Sequence, residues 1–131
     1  MEDRLTTDDL VVGGVYTSNS PTGTYYLLLY NESTEDSLVV YDIIRGRIMG
    51  RGIRNLKRDK TVTGVMDVIN HRDRITYNQS STRFPLTMEQ FLIYIEDELD
   101  KYSNDVNFDW QRGAVQLVKQ MKRKHLLENI L

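Results

Sequence analysis

The sequence predicts an α+β protein, in which an N-terminal curved antiparallel β-sheet or small half-barrel is followed by two C-terminal α-helices. Before Pro85, short runs rich in β-branched residues and tyrosine alternate with turn residues, which is typical of antiparallel strands. After Pro85, apolar residues recur with the period of a helix. Gly13 and Gly14 lie inside the first run and favour a bulge or sharp bend, and therefore a curved sheet. We expect one domain over residues 1–131, with the sheet in 1–84 and the helices in 85–131.

Five runs before Pro85 are predicted to form strands. Their connectors are short and polar, as antiparallel neighbours require. Leu27, Leu28 and Leu29 are consecutive, so both faces of the second strand must be covered. That strand is expected to be central in the sheet or to bridge two layers. The predicted strands are residues 10–17, 24–30, 38–44, 61–70 and 74–78.

Two helices are predicted after Pro85. Thr87 and Gln90 form a capping-box pattern, which marks the start of the first helix. Ile93 lies off its apolar stripe and indicates contact with another helix or another subunit. The second helix is expected to start around Phe108 or Asp109, with an acidic beginning and a basic end that suit the helix dipole. The stripes expected to face the sheet are Met88, Phe91, Leu92, Ile95, Leu99 and Tyr102 in the first helix, and Trp110, Ala114, Leu117, Val118 and Met121 in the second.

The composition is that of an ordinary globular domain, with 40% hydrophobic and 27% charged residues. No apolar run reaches the roughly 18 residues needed to cross a membrane, and the N-terminus does not resemble a signal peptide. The chain has no cysteine, which excludes disulfides, thiol nucleophiles and thiolate metal sites. We therefore expect a cytoplasmic protein with no membrane partner, no metal and no cofactor.

Positive charge is concentrated in residues 45–60, RGRIMGRGIRNLKRDK, here called the basic segment. It holds seven of the 17 lysines and arginines and a single acidic residue, although the chain has a formal net charge of -2. Such a patch attracts anions, while its glycines admit close approach and its guanidinium groups suit phosphate oxygens. We expect four of its arginines to contact a phosphate-bearing ligand: Arg45, Arg47, Arg51 and Arg54. The alternative is a hairpin arm whose arginines are solvated and protect a sheet edge.

Two further sets of residues are candidates for the same ligand. Arg112, Lys119 and Arg123 share one face of the last helix, where the alternative is an ordinary solvated face. Arg83 and Phe84, at the junction of sheet and helices, combine a cation with an aromatic ring, as sites for a nucleotide base do. For Phe84 the alternative is core packing.

No catalytic constellation is visible in the sequence. Residues 71–74, HRDR, match a kinase catalytic loop superficially, but the glycine loop and strand lysine that kinases require are absent. Neither His71 nor His125 has neighbours that suggest acid–base chemistry or a metal site. The sequence therefore predicts a binding protein and not an enzyme.

The order of elements, a curved antiparallel sheet followed by two helices, resembles that of phage anti-defence proteins that counter the Thoeris system by sequestering cyclic nucleotide signals. The resemblance covers the layout of the whole chain and assigns no binding residue. It implies a homo-oligomeric nucleotide sponge in the host cytoplasm, with a cyclic ADP-ribose-like or cyclic oligonucleotide ligand. Two alternatives stay open: a small nucleic-acid-binding module that uses the basic segment as an arm, and a protein–protein adaptor or inhibitor.

Overall fold

The computed structural model describes residues 9–18, 24–31, 38–52, 56–71, 83–102 and 109–130. The strands are β1 (Val15–Ser18), β2 (Tyr25–Asn31), β3 (Leu38–Asp42), β4 (Arg47–Arg51) and β5 (Leu56–Lys57). They form one open antiparallel sheet in the order β4-β3-β2-β1-β5. The helices are α1 (Val65–Asn70), α2 (Met88–Asp100) and α3 (Asp109–Ile130). The predicted fold, an N-terminal antiparallel sheet followed by two C-terminal helices, is confirmed; the predicted strand at 74–78 lies outside the described residues.

Strand β2 lies at the centre of the sheet, and both of its faces are buried. Leu27 and Leu28 are 0% exposed and Leu29 is 1% exposed. Leu27 and Leu29 belong to the main core, which also contains the buried apolar side chains of all three helices. Leu28 belongs to a second apolar cluster on the opposite face, with Tyr26, Val40 and Leu56 among its members. The prediction from the three consecutive leucines is therefore confirmed.

The sheet is strongly curled. Arg51 pairs with Leu38 on one edge, while Leu56 pairs with Ser18 on the other edge and at the opposite end of the strands. Over the five residues from Arg51 to Leu56 the chain can span at most about 17 Å. In a flat sheet, with strands about 4.8 Å apart, these two positions would stand well over 20 Å apart. The two edges must therefore curve towards each other, as the glycine pair predicts.

The bend at the glycine pair shortens the first predicted strand, which begins only at Val15. Gly13 has φ +92°, a conformation that favours glycine, and its N–H donates to the carbonyl of Leu28 at 2.8 Å. A Cβ on Gly14 would lie 2.9 Å from the carbonyl oxygen of Val11 and 3.1 Å from the ring of Tyr16. These glycines let residues 11–14 fold closely over Tyr16.

The prediction of a strand over residues 61–70 is wrong, because the second part of this run forms α1. Asp67 accepts hydrogen bonds from the backbone N–H groups of Thr63 (2.9 Å) and Gly64 (3.2 Å), which satisfies donors at the helix start. Val65, Val68 and Ile69 are buried on one face of the helix. Their β-branched character favours a strand, but their spacing and the acidic residue in the first turn are those of a helix.

The two C-terminal helices follow their predicted pattern. Thr87 Oγ1 accepts from the N–H of Gln90 at 3.0 Å, and α2 buries the predicted stripe through Phe91 and Ile95, both 0% exposed. In α3, Ala114 is 0% exposed and Val118 is 2% exposed. Across the described ranges, no helix is both long and apolar enough to span a bilayer.

Candidate functional site

The basic segment does not form the self-contained hairpin arm considered from the sequence. Its first part, β4, pairs with β3, whereas its last part, β5, pairs with β1 at the opposite edge of the sheet. The segment therefore meets two separate environments. The first is the β3–β4 turn beside α2, and the second is the turn between β5 and α1.

The β3–β4 turn is organised around Asp42, a carboxylate that is 0% exposed. Its Oδ1 accepts from the N–H groups of Ile44 and Arg45, each at 3.0 Å, and its Oδ2 accepts from Nη1 of Arg45 at 2.9 Å. Gly46 closes the turn with φ +72° and donates its N–H to the carbonyl of Asp42 at 2.8 Å. The buried carboxylate thereby fixes the loop that carries Arg45 and Arg47.

Arg83, from the segment that leads into α2, lies against this turn. A Cβ on Gly46 would collide with the Cβ and Cγ atoms of Arg83, so that the absence of a side chain makes the contact possible. The guanidinium carbon of Arg83 is 5.1 Å from the centroid of the Tyr94 ring, and its Nη1 is 3.7 Å from Oδ2 of Asp97. Arg45, Arg47 and Arg83 thus lie around one turn, and we call them the arginine cluster.

Helix α2 also covers the edge of the sheet at this point. The N–H of Ile48 points away from β3 and donates to Oε2 of Glu98 at 2.9 Å. The other oxygen of Glu98 is 2.9 Å from Nζ of Lys101. This edge-strand donor is therefore paired with a side chain and is not available to another strand. Since Glu98 and Lys101 neutralise each other, they leave the positive balance of the arginine cluster unchanged.

Tyr41 is buried beneath the cluster. It is 0% exposed, its ring meets Phe91 edge-on with centroids 5.7 Å apart, and within the described part of the chain its hydroxyl has no hydrogen-bond partner. Burial, followed by the negative charge of Glu98, raises the pKa of Tyr41 above its ordinary value. The hydroxyl therefore stays protonated at neutral pH.

The other predicted site residues that the structure describes do not belong to the arginine cluster. Phe84 is half-buried and packs against the main core. Arg51 belongs to β4, and Arg54 lies outside the described residues. Arg112, Lys119 and Arg123 are exposed on α3.

The arginines of α3 do not join the arginine cluster, because α2 lies between the two sets. Tyr94 and Asp97 contact Arg83 from one face of α2. Glu96 and Asp100 line a groove with Lys119, where α2 meets α3. The composite site expected from the sequence is thus divided by an acidic helix.

At the other end of the basic segment, Arg58 lies beside a cavity of about 230 Å³. The cavity is bounded by the loop over Tyr16 and by the turn before α1, with Val11, Val15 and Val62 among its lining residues. Arg58 donates to the backbone carbonyl of Asp9 at 3.2 Å. Two carboxylates, those of Asp9 and Asp59, line the cavity along with this one guanidinium group.

Asp59 is already engaged by its own turn. Its Oδ1 accepts from the hydroxyl of Thr61 at 2.7 Å, and its Oδ2 accepts from the hydroxyl of Tyr25 at 2.9 Å. The side-chain hydrogen bond from Thr61 is the main reason why the pKa of Asp59 is lowered. Burial, with the hydrogen bond to Asp59, raises the pKa of Tyr25 to about 12. At neutral pH Asp59 is therefore ionised and Tyr25 protonated.

His71 contacts its own helix, whereas His125 of α3 contacts α2. Nδ1 of His71 lies 2.7 Å from the carbonyl oxygen of Asp67, and Nε2 of His125 lies 2.8 Å from Oε1 of Glu89. The hydrogen bond with His125 lowers the pKa of Glu89. In the part of the chain that is described, no three histidine, aspartate or glutamate side chains are grouped as metal ligands would be.

The positions of Tyr94 and Arg58 beside these sites are not predicted by the sequence. Tyr94 lies on a helix, eleven positions after Arg83, and nothing in that spacing indicates stacking. Arg58 belongs to the basic segment, but only the sheet order reveals that it lies apart from Arg45 and Arg47.

No protein-family model, curated protein or solved structure matches the chain.

Proposed function

We propose that this protein captures a small phosphorylated ligand of the nucleotide class at the arginine cluster, without transforming it chemically. The observation that carries the proposal is the position of Arg83, whose guanidinium group is stacked on Tyr94 beside the turn that holds Arg45 and Arg47. A stacked guanidinium keeps its N–H edges in a fixed plane, as bidentate contacts to a phosphate require.

The contacts that hold Arg83 are weak enough for an anion to replace one of them. The side chains of Arg83 and Asp97 are 40% and 57% exposed, and their closest atoms are 3.7 Å apart. Such a pair contributes at most about 1 kcal/mol, and the stacking on Tyr94 adds about 0.5–1 kcal/mol. A phosphate group can therefore displace Asp97 at little cost, while the ring continues to hold the guanidinium plane.

Arg47 is the second residue available to a ligand. It is exposed at the start of β4, and no ionic partner for its side chain is found in the described ranges. Arg45 is bound to Asp42 and chiefly stabilises the turn. We assign Arg83 and Arg47 to ligand contact and Arg45 to holding the turn in shape.

The charge balance favours the arginine cluster over the cavity beside Arg58. The cluster places three guanidinium groups near Asp42 and Asp97, and Asp42 is buried and used by the turn. The cavity places one guanidinium group near two carboxylates. A phosphate carries at least one full negative charge, so it is attracted to the first environment and repelled by the second.

The resemblance to Thoeris anti-defence proteins suggests a narrower form of this proposal, in which the ligand is a cyclic nucleotide signal. A non-catalytic role is supported by the state of the nearby titratable groups. Tyr41 stays protonated beneath the cluster, and the carboxylate of Asp42 is fully occupied by the turn.

A thermal-shift screen tests the proposal. It uses cyclic mono-, di- and trinucleotides, ADP-ribose derivatives and inorganic phosphate. A ligand at 100 times its dissociation constant should stabilise the protein by roughly 2.7 kcal/mol. Arg83→Gln should weaken binding at least about tenfold, because hydrogen bonds to charged groups contribute about 1.5–3 kcal/mol. Arg112→Gln removes the same charge from the exposed face of α3 and should change the affinity less than about twofold.

Two results would overturn the proposal. One is the absence of a shift with every nucleotide in the panel, and the other is equal weakening by Arg83→Gln and Arg112→Gln. Binding of long oligonucleotides alone, with an affinity that falls steeply with salt, would instead favour a nucleic-acid-binding module.

A further inference from the structure

The outer surface of α2 and α3 carries exposed apolar side chains that the core does not use. Ile93 of α2 is 56% exposed, and Leu126 and Leu127 of α3 are each 55% exposed. Single exposed apolar residues are ordinary on protein surfaces. Ile93 and Leu126, however, lie on adjoining faces of two packed helices. The positions of the contacts between α2 and α3 place both residues beside the line where the helices meet.

Two polar contacts cross the seam between the helices near these residues. Oε1 of Glu89 is 2.8 Å from Nε2 of His125, and Oε1 of Glu96 is 3.4 Å from Nζ of Lys122. Ile93 lies four positions after Glu89 and three before Glu96, so it shares their face of α2. Leu126 follows Lys122 by four positions and therefore shares its face of α3. Ile93 and Leu126 therefore lie along the same seam between α2 and α3.

Charge is segregated between the two helices along this surface. The outward side of α2 is acidic, whereas that of α3 is basic. The acidic set is Glu89, Glu96, Asp97 and Asp100, and the basic set is Arg112, Lys119, Lys122, Arg123 and Lys124. Within one protomer Glu96 meets Lys122, and Lys119 lines a groove with Glu96 and Asp100.

We propose that this surface is a homodimer interface in which α2 of each protomer packs on α3 of the other. The charges select this arrangement. Two copies can face each other about a twofold axis parallel to the helices, which places the acidic α2 opposite the basic α3 of the partner. A twofold axis in the interface but perpendicular to the helices would instead place α2 on α2, acid against acid, which is repulsive.

The parallel axis also brings the apolar residues together. Because this rotation preserves height along the helices, Ile93 of one protomer comes within about one turn of Leu126 of the other, and the contact occurs twice. The apolar area is small, so the dimer should form with an affinity on the order of micromolar and should weaken with salt. Asp97, which contacts Arg83, lies four positions after Ile93, so the interface borders the arginine cluster. The dimer needs none of the ligand contacts proposed for Arg83 and Arg47.

Sedimentation velocity over a range of protein concentrations tests the dimer. The full chain should associate between about 1 and 100 μM, and raising NaCl from 50 to 500 mM should weaken association roughly tenfold. Ile93→Glu and Leu126→Glu should each give a monomer with an unchanged circular dichroism spectrum. Leu86→Glu is the matched control, because Leu86 is also 55% exposed but precedes α2, and this variant should still dimerise. A wild-type monomer at 100 μM, or equal disruption by Leu86→Glu, would overturn the interface.

Cysteine cross-linking tests the symmetry, since the chain has no cysteine of its own. Under mild oxidation, a mixture of the Ile93→Cys and Leu126→Cys variants should form a disulfide-linked heterodimer faster than either variant links to itself. Faster self-linking of Ile93→Cys would place α2 on α2 and contradict the proposed axis.

Discussion

The two ends of the basic segment are held differently. At the β3–β4 turn, the buried carboxylate of Asp42 and the tightly packed Gly46 hold the segment against α2. Near β5, the segment ends in turns held by the more exposed carboxylate of Asp59. Asp42 is 0% exposed and makes three side-chain hydrogen bonds within its turn. Asp59 is only partly buried and binds Thr61 and Tyr25. The same run of arginines and lysines thus meets a rigid, net positive environment at one end and a cavity with two carboxylates at the other.

The difference teaches that the density of charge along a chain does not define a binding surface. The sheet order separates β4 from β5, and the neighbours of each strand decide which cations a ligand can use. Arg83, which lies outside the basic segment, adds positive charge at the β3–β4 turn. Near β5, the negative charge of Asp9 offsets the positive charge of Arg58.

The largest effect is expected for Asp42→Ala. It leaves the N–H groups of Ile44 and Arg45 without their buried acceptor, and should lower the free energy of unfolding by about 3 kcal/mol. Urea denaturation measures the change. Asp97→Ala removes an exposed carboxylate that also faces an arginine and should cost less than about 0.5 kcal/mol. Equal losses in the two variants would contradict a turn organised by Asp42.

Gly46→Ala tests the contact between the turn and Arg83. The added Cβ meets the Arg83 side chain at a residue with positive φ, so a destabilisation of about 2 kcal/mol is expected. Gly113→Ala is the control, because a Cβ at this helical position meets nothing within 4 Å. It should stabilise the protein by up to about 1 kcal/mol. If Gly46→Ala were neutral in denaturation experiments, Arg83 would not be packed on the turn.

At the β5 end, the lowered pKa of Asp59 predicts a dependence of stability on pH. The stabilisation is complete above the ordinary aspartate pKa of about 3.9 and is lost as the pH falls through the lowered value in the folded state. Asp59→Asn should cost about 1 kcal/mol at pH 7 and flatten the decline in stability at acid pH. Unfolding free energies of both proteins between pH 2 and 7 test this, and parallel curves would show that Asp59 contributes nothing to the decline.

The smallest effect is expected from removing a tyrosine hydroxyl at each end. Tyr41→Phe deletes a buried hydroxyl that has no partner among the described residues, and should be neutral or stabilise the protein by up to about 1 kcal/mol. Tyr25→Phe deletes the hydroxyl that donates to Asp59 and should destabilise the protein by about 1 kcal/mol. A loss of more than about 1 kcal/mol in Tyr41→Phe would mean that its hydroxyl is hydrogen-bonded.

Local patterns in the sequence predict most of the fold. The three leucines of β2, the Thr87 cap and the stripes of α2 and α3 each follow from short-range physics, and the structure confirms them. The failure at α1 is also local, because β-branched residues at helical spacing support two interpretations and Asp67 decides between them. The site could not be predicted in the same way. The stacking of Arg83 on Tyr94 and the separation of Arg58 from Arg47 depend on which strands pair and where α2 docks.

The most direct test of ligand capture at the arginine cluster is a titration of the ¹⁵N-labelled protein with the nucleotide panel, followed by amide and arginine side-chain NMR signals. We predict that signals of Gly46, Arg47 and Arg83 shift and saturate together with the best ligand, while those of Asp59 and Thr61 stay in place. Arg83→Gln should abolish the shift at Gly46, and Arg112→Gln should leave it intact. Shifts confined to residues 58–63, or no shifts with any nucleotide, would contradict ligand capture at the cluster.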